Sequence, residues 1–283
     1  MNHIFKKLGT AAAIAAIGFS GAASAAGIFQ DFKVDETAVY SAANGNSNAA
    51  TTALEAVIAQ NFTADKVTGS YAEIFTVTGP TTFATSAYAN LTGFSSAGGT
   101  VGVSPAGIGA LYGLYATFTA TGNILGAGTS FAGTSGEVKL YLDPFLGVGG
   151  AVTTKTLPGV GGGAVVLGND ADDILIASTS SFTSGEGHNF PGSLGGANGD
   201  FSLIFDQFLL TTAGAAYFYD PDPFHLRLVL DGNFGSFAIP NVNGSAIITG
   251  AANAFFALPE PSTLALAGIA LLGFAGASRR RSS

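Results

Sequence analysis

The sequence predicts an all-β fold, an antiparallel β-sandwich of jelly-roll type. Three observations predict it. Many short segments alternate between apolar and polar residues with a period of two, as half-buried strands do. These segments are rich in Phe, Tyr, Val and Thr, and Gly, Asn, Ser and Pro separate them. Only 10% of the residues are charged, so the Glu, Lys and Arg runs of surface helices are missing.

The alternating segments follow in chain order. Phe29–Val34 is the first. In Tyr71–Thr78, residues Tyr71, Glu73, Phe75 and Val77 share one face, opposite Ala72, Ile74 and Thr76. Leu111–Thr121 sets Tyr112, Leu114, Ala116 and Phe118 against Tyr115 and Thr117. Glu137–Asp143 sets Val138, Leu140 and Leu142 against Lys139 and Tyr141. Ile174–Ser178, Phe201–Leu210, Tyr217–Tyr219, Phe224–Leu230, Phe234–Ile239 and Ser245–Thr249 complete the set. The alternation across 201–239 predicts neighbouring strands in one sheet. Val165-Val166-Leu167 also reads as a strand, and Gly147–Gly163 as a long glycine-rich loop. Ala50–Ala59 is the best helical candidate between the two ends of the chain. No repeat is present, which disfavours a solenoid or propeller.

The two ends differ from the middle. Lys6 and Lys7 precede an uncharged run from Leu8 to Phe19, and Ala23-Ser24-Ala25 follows as an A-x-A cleavage site. That order is a secretory signal peptide over residues 1–25, with Ala23 and Ala25 as its cleavage signature. The run is too short for a comfortable membrane span. A single domain then covers 26–258. At 259–283 stand Pro259, Glu260 and Pro261, an uncharged stretch 264–277, and Arg279, Arg280 and Arg281. The uncharged stretch reads as a transmembrane helix whose arginines stay on the cytoplasmic side. At 1.5 Å per residue it is roughly 21 Å long, short of a full hydrocarbon core. Such a helix suits a temporary stop in the inner membrane better than a permanent anchor.

Between the ends, 17 acidic residues face five basic ones, a net charge of −12. This balance excludes nucleic acid as a partner, because the phosphate backbone requires cations. The chain has no cysteine, which removes thiolate zinc sites, disulfides and cysteine nucleophiles. No G-x-S-x-G elbow presents a serine to His188 or His225, and no H-E-x-x-H is present. Gly159–Ala164 nominally fits G-x-G-x-x-A, but a strand follows it where a dinucleotide site needs a helix. Asp170, Asp172 and Asp173 have a spacing that can share a calcium ion outside the cell, without the glycine and closing Glu of an EF-hand. Calcium is therefore the one candidate cofactor, and an exposed acidic turn is the plainer reading. A glycosidase pair drawn from the 17 acids stays open, since such carboxylates come from separate strands.

Pro259-Glu260-Pro261, the uncharged run and Arg279-Arg280-Arg281, in that order, resemble the PEP-CTERM sorting signal of Gram-negative bacteria. The resemblance implies recognition by an exosortase, a membrane-embedded transpeptidase-like enzyme that cuts near the Pro-Glu-Pro. It implies export to the cell surface or extracellular matrix. Phe29–Asp35, Phe62–Glu73, Asp206–Leu210 and Tyr217–Phe224 are similar to the flocculation-associated PEP-CTERM proteins. That likeness implies a non-enzymatic protein that holds cells in extracellular polysaccharide, as in flocs and biofilms. The alternatives are a carbohydrate-binding or carbohydrate-active β-sandwich and a self-assembling surface subunit.

Overall fold

The computed structural model describes residues 30–39, 61–98, 101–103, 107–109, 112–126, 129–144, 152–158, 163–190 and 199–257. In chain order the strands begin with β1 (Phe32–Asp35), β2 (Asn61–Ala64), β3 (Lys66–Gly79), β4 (Thr82–Ser96), β5 (Val101–Gly102), β6 (Gly113–Leu125) and β7 (Ser130–Asp143). They continue with β8 (Thr154–Thr156), β9 (Val166–Gly168), β10 (Ile174–Thr179), β11 (Ser181–Asn189), β12 (Gly199–Asp206) and β13 (Leu209–Leu210). A short helix α1 (Thr212–Tyr217) precedes β14 (Phe218–Asp220), β15 (Arg227–Phe234) and β16 (Ser245–Ala257). The signal segment 1–25, the helical candidate Ala50–Ala59 and the tail 259–283 lie outside the described residues.

The all-β expectation holds, but the sandwich gives way to a closed barrel. Eight antiparallel strands form the wall, in the order β3, β4, β6, β7, β11, β12, β15, β16 and back to β3. Two ladders close the ring. Glu186 and His188 of β11 stand opposite Ala132 and Ser130 of β7. Ser245 to Ala254 of β16 pair with Thr76 to Val67 of β3. Each wall strand therefore pairs with its neighbours along the chain, the up-and-down arrangement, with no jelly-roll crossing. Alternation reports which side chains are buried. It cannot tell two facing sheets from one sheet curled on itself. β10 and β11 run end to end along β7, whose other residues pair with β10.

Register shifts help the wall to curl. They occur at Thr68/Gly69, Thr121/Gly122 and Phe182/Ser184, and bulges of this kind increase local twist. Backbone contact is closest at β15–β16. A Cβ on Gly250 would lie 1.8 Å from the Asn233 carbonyl oxygen and 2.9 Å from the Tyr71 ring. Gly250→Ala is expected to destabilise the fold by about 1–3 kcal/mol through overpacking. A fall in the denaturant midpoint would show it; an unchanged midpoint would mean that the wall has room for the methyl group here.

Two apolar clusters occupy the barrel ends. At the end where β3 begins, Phe32 of β1 meets Phe94, Phe218, Phe224 and Phe256 edge-on, with centroids 5.1–6.3 Å apart. This plug comprises β1, β2, β14 and α1. Buried Glu36 ties it to the barrel side. Its carboxylate accepts from the Gly107 amide and, at 2.9 Å, from the Tyr112 hydroxyl, which lies 2.7 Å from the Tyr217 hydroxyl. Burial pushes the Glu36 carboxyl up despite these donors. At the other end, Phe237 packs on Phe75 and stacks on Phe131. The expected strand Phe234–Ile239 does not form: β15 ends at Phe234, and the residues after it close the barrel mouth.

Candidate functional site

Inward residues of the eight strands define a lumen; the outer wall is polar along β6 and mixed along β3 and β16, where Ile74 and Ile247 face outward. On β6 the inward positions include Ala116, Phe118 and Ala120, and the outward ones Thr117, Thr119 and Thr121. Thr121 lies 2.7 Å from the Ser135 hydroxyl, and Thr76 lies 2.9 Å from Ser245. A barrel that spans a lipid bilayer has the reverse pattern, apolar outside and polar inside. Among the described residues no helix is long and apolar enough to cross a membrane.

The lumen is not filled. A cavity of about 150 Å³ lies inside the wall, lined almost wholly by apolar groups such as Phe75, Phe83, Phe118 and Phe201. Glu73, midway along β3, is among the few polar residues of the lining, with Thr85 beside it. Thr85 of β4 donates its hydroxyl to one Glu73 oxygen and lies 3.1 Å from the Ile74 carbonyl. Glu73 keeps some accessible area because it faces the cavity, yet protein surrounds it. Loss of water pushes its carboxyl up to about 7, against the smaller opposing effect of the Thr85 bond. Tyr71, two residues earlier on the same face, is 7% exposed, and its hydroxyl has no hydrogen-bond partner among the described residues.

On the outer wall, residues 163–168 cross β4 and β6 as a strap. The Val165 amide donates to the Ser86 hydroxyl at 3.0 Å. Beneath and beside the strap lies a groove of about 200 Å³, lined by Thr117, Thr119, Glu137, Lys139 and Tyr141. Tyr141 stacks on Tyr115 at 5.1 Å, and the Lys155 ammonium lies 4.3 Å from the Tyr115 ring. Lys139 and Glu137 pair at 3.0 Å. The glycine-rich stretch before the strap is not loop throughout, because β8 pairs with β9.

Asp170, Asp172 and Asp173 stand in the turn before β10. Asp173 accepts from the Tyr115 hydroxyl and, at 2.7 Å, from the Thr153 hydroxyl. Its carboxyl is pushed up by burial. No group of three or more metal-type donors converges among the described residues, so the three aspartates do not form a shared cage there. His188 pairs with Asp200 at 2.8 Å on the exposed wall. His225 is buried, with its Nε2 3.3 Å from the Asp31 carbonyl, and burial lowers its pKa. The two histidines do different structural jobs, and neither is positioned with a serine nucleophile among the described contacts.

The last wall strand, β16, ends at Ala257, next to Phe256, which packs on Phe32 of the plug. Ala257 stands opposite Arg227 at the limit of the β15 ladder. The barrel is therefore complete where the tail begins. Residues 257–281 match the PEP-CTERM protein-sorting motif. The match spans Pro259, Glu260, Pro261, Arg279, Arg280 and Arg281, and it marks an exported, surface-targeted chain processed by an exosortase. The motif describes the tail alone. No curated protein and no solved structure matches the chain.

Proposed function

We propose that this chain is a non-enzymatic surface protein that helps hold cells in extracellular polysaccharide, in a Gram-negative bacterium that exports it and trims its tail. The sorting motif at 257–281 carries this reading. The inner membrane holds the chain only through 264–277, until the exosortase cuts near Pro259-Glu260-Pro261. A cut there spares every strand of the wall, since the final ladder residue is Ala257. The acidic, cysteine-free barrel suits life outside the cell.

The outer groove supplies the contact surface in this reading. Hydroxyls of Thr117 and Thr119, the Glu137–Lys139 pair and the Tyr141 ring offer hydrogen bonds and a stacking face suited to sugar rings. This groove also favours the second reading, a carbohydrate-binding module without catalysis. Deleting the gene is expected to abolish or sharply reduce cell aggregation, with full-length chain restoring it and chain lacking 259–283 failing to do so. Unchanged aggregation after deletion would end the proposal. A Tyr141→Ala chain that is sorted normally but no longer sediments with the cells' own polysaccharide would favour the binding-module form.

A further inference from the structure

The barrel lumen has features that a packed core lacks. Eight strands enclose a space just wide enough either to be filled by side chains or to hold one small ligand. Here several inward apolar residues, among them Ala89, Ala116, Phe118 and Leu203, are only partly buried although the wall surrounds them. They face the open cavity of about 150 Å³. An apolar cavity of this volume stays dry in other proteins and accepts a molecule of about benzene size.

The polar groups at this cavity are few and incompletely satisfied. The Tyr71 hydroxyl is buried without a partner among the described residues. Glu73 receives one hydroxyl, from Thr85, and no other hydrogen bond among the described residues. Side chains two apart on a strand point the same way, so Tyr71 and Glu73, whose Cα atoms stand roughly 7 Å apart along β3, both turn toward the cavity. A buried hydroxyl left unpaired is costly, and a ligand that pairs with it recovers that loss.

We propose that the lumen is a binding site for a small, mainly apolar molecule of about benzene size carrying a single hydroxyl, with that hydroxyl placed between Glu73 and Tyr71. The ligand hydroxyl donates to the Glu73 carboxyl and accepts from the Tyr71 hydroxyl. The ring or chain of the ligand fills the space between Phe75, Phe83 and Phe118. Glu73 is the group that selects a hydroxylated ligand over a plain hydrocarbon. The site is independent of sorting, so failure of either idea leaves the other standing.

The test uses the exported protein purified from culture, titrated with phenol and with benzene by calorimetry. Saturable one-to-one binding of both is expected, with phenol the tighter. Glu73→Leu, which removes the acceptor that Gln would keep, is expected to weaken phenol about tenfold and to leave benzene within about twofold. Tyr71→Phe, a second variant that keeps the ring, is expected to weaken phenol several-fold without affecting benzene. Absence of saturable binding by either molecule overturns the proposal. So does an equal loss of both ligands in the variants, or phenol binding that neither substitution changes.

Discussion

Replacing Phe256 with Ala is expected to lower the unfolding free energy by about 3–5 kcal/mol, the usual cost of removing a buried phenyl ring. Phe256 is 1% exposed. Its ring lies 5.1–5.5 Å from those of Phe32, Phe208, Phe218 and Phe224. It is the point where the last wall strand meets the plug, so its loss loosens both. Four neighbouring rings cannot all collapse into the space, which places the effect toward the upper part of the range. Denaturant unfolding would read the change as a fall in midpoint at constant slope. A loss below about 1 kcal/mol would mean that the plug is not packed on the barrel.

The second large effect depends on pH. The Glu73 carboxyl is raised from 4.5 to about 7 in the fold. Between those values the folded chain keeps a proton that the unfolded chain has released. The stability from this group is therefore complete below about pH 4.5, drains as pH rises, and is gone above about pH 7. The loss is on the order of 3 kcal/mol. Glu73→Gln removes the titration and can still accept the Thr85 hydroxyl. Its stability is expected to fall less than the parent's from pH 4.5 to 8, leaving it the more stable chain at pH 8. Burial also raises Glu36, so the parent-minus-variant difference, and not the parent curve alone, isolates Glu73. Parallel stability curves for the two proteins would mean that Glu73 is solvated in the folded state.

The sequence shows the strands where large apolar and polar residues alternate. Val138, Leu140 and Leu142 mark β7 in this way. Of the 201–239 segments, β12 and β15 pair as expected, but β14 joins a separate sheet with β1 and no strand forms after Phe234. β4 escapes notice because its inward Ala87 and Ala89 contrast little with Ser86 and Asn90. Closure into a barrel is illegible, since it depends on a ladder between β7 and β11 that joins residues some fifty positions apart. Glu73 had one visible signal, a lone acid on the face shared by Tyr71, Phe75 and Val77. What the sequence could not show was that this face borders a cavity. The outer groove left no signal, because it exists only where the strap containing Val165 lies across Ser86. The sorting motif needs no fold to be read, as its order of motif, uncharged run and arginines is local.

Mass spectrometry of the mature protein recovered from the producing cells tests the central claim most directly. The expected result is a chain that begins after Ala25 or Ala26 and ends near Pro259-Glu260-Pro261, with no peptide from 264–283. A mature surface protein that still carries Leu264–Ala277 and Arg279–Arg281 would contradict exosortase processing.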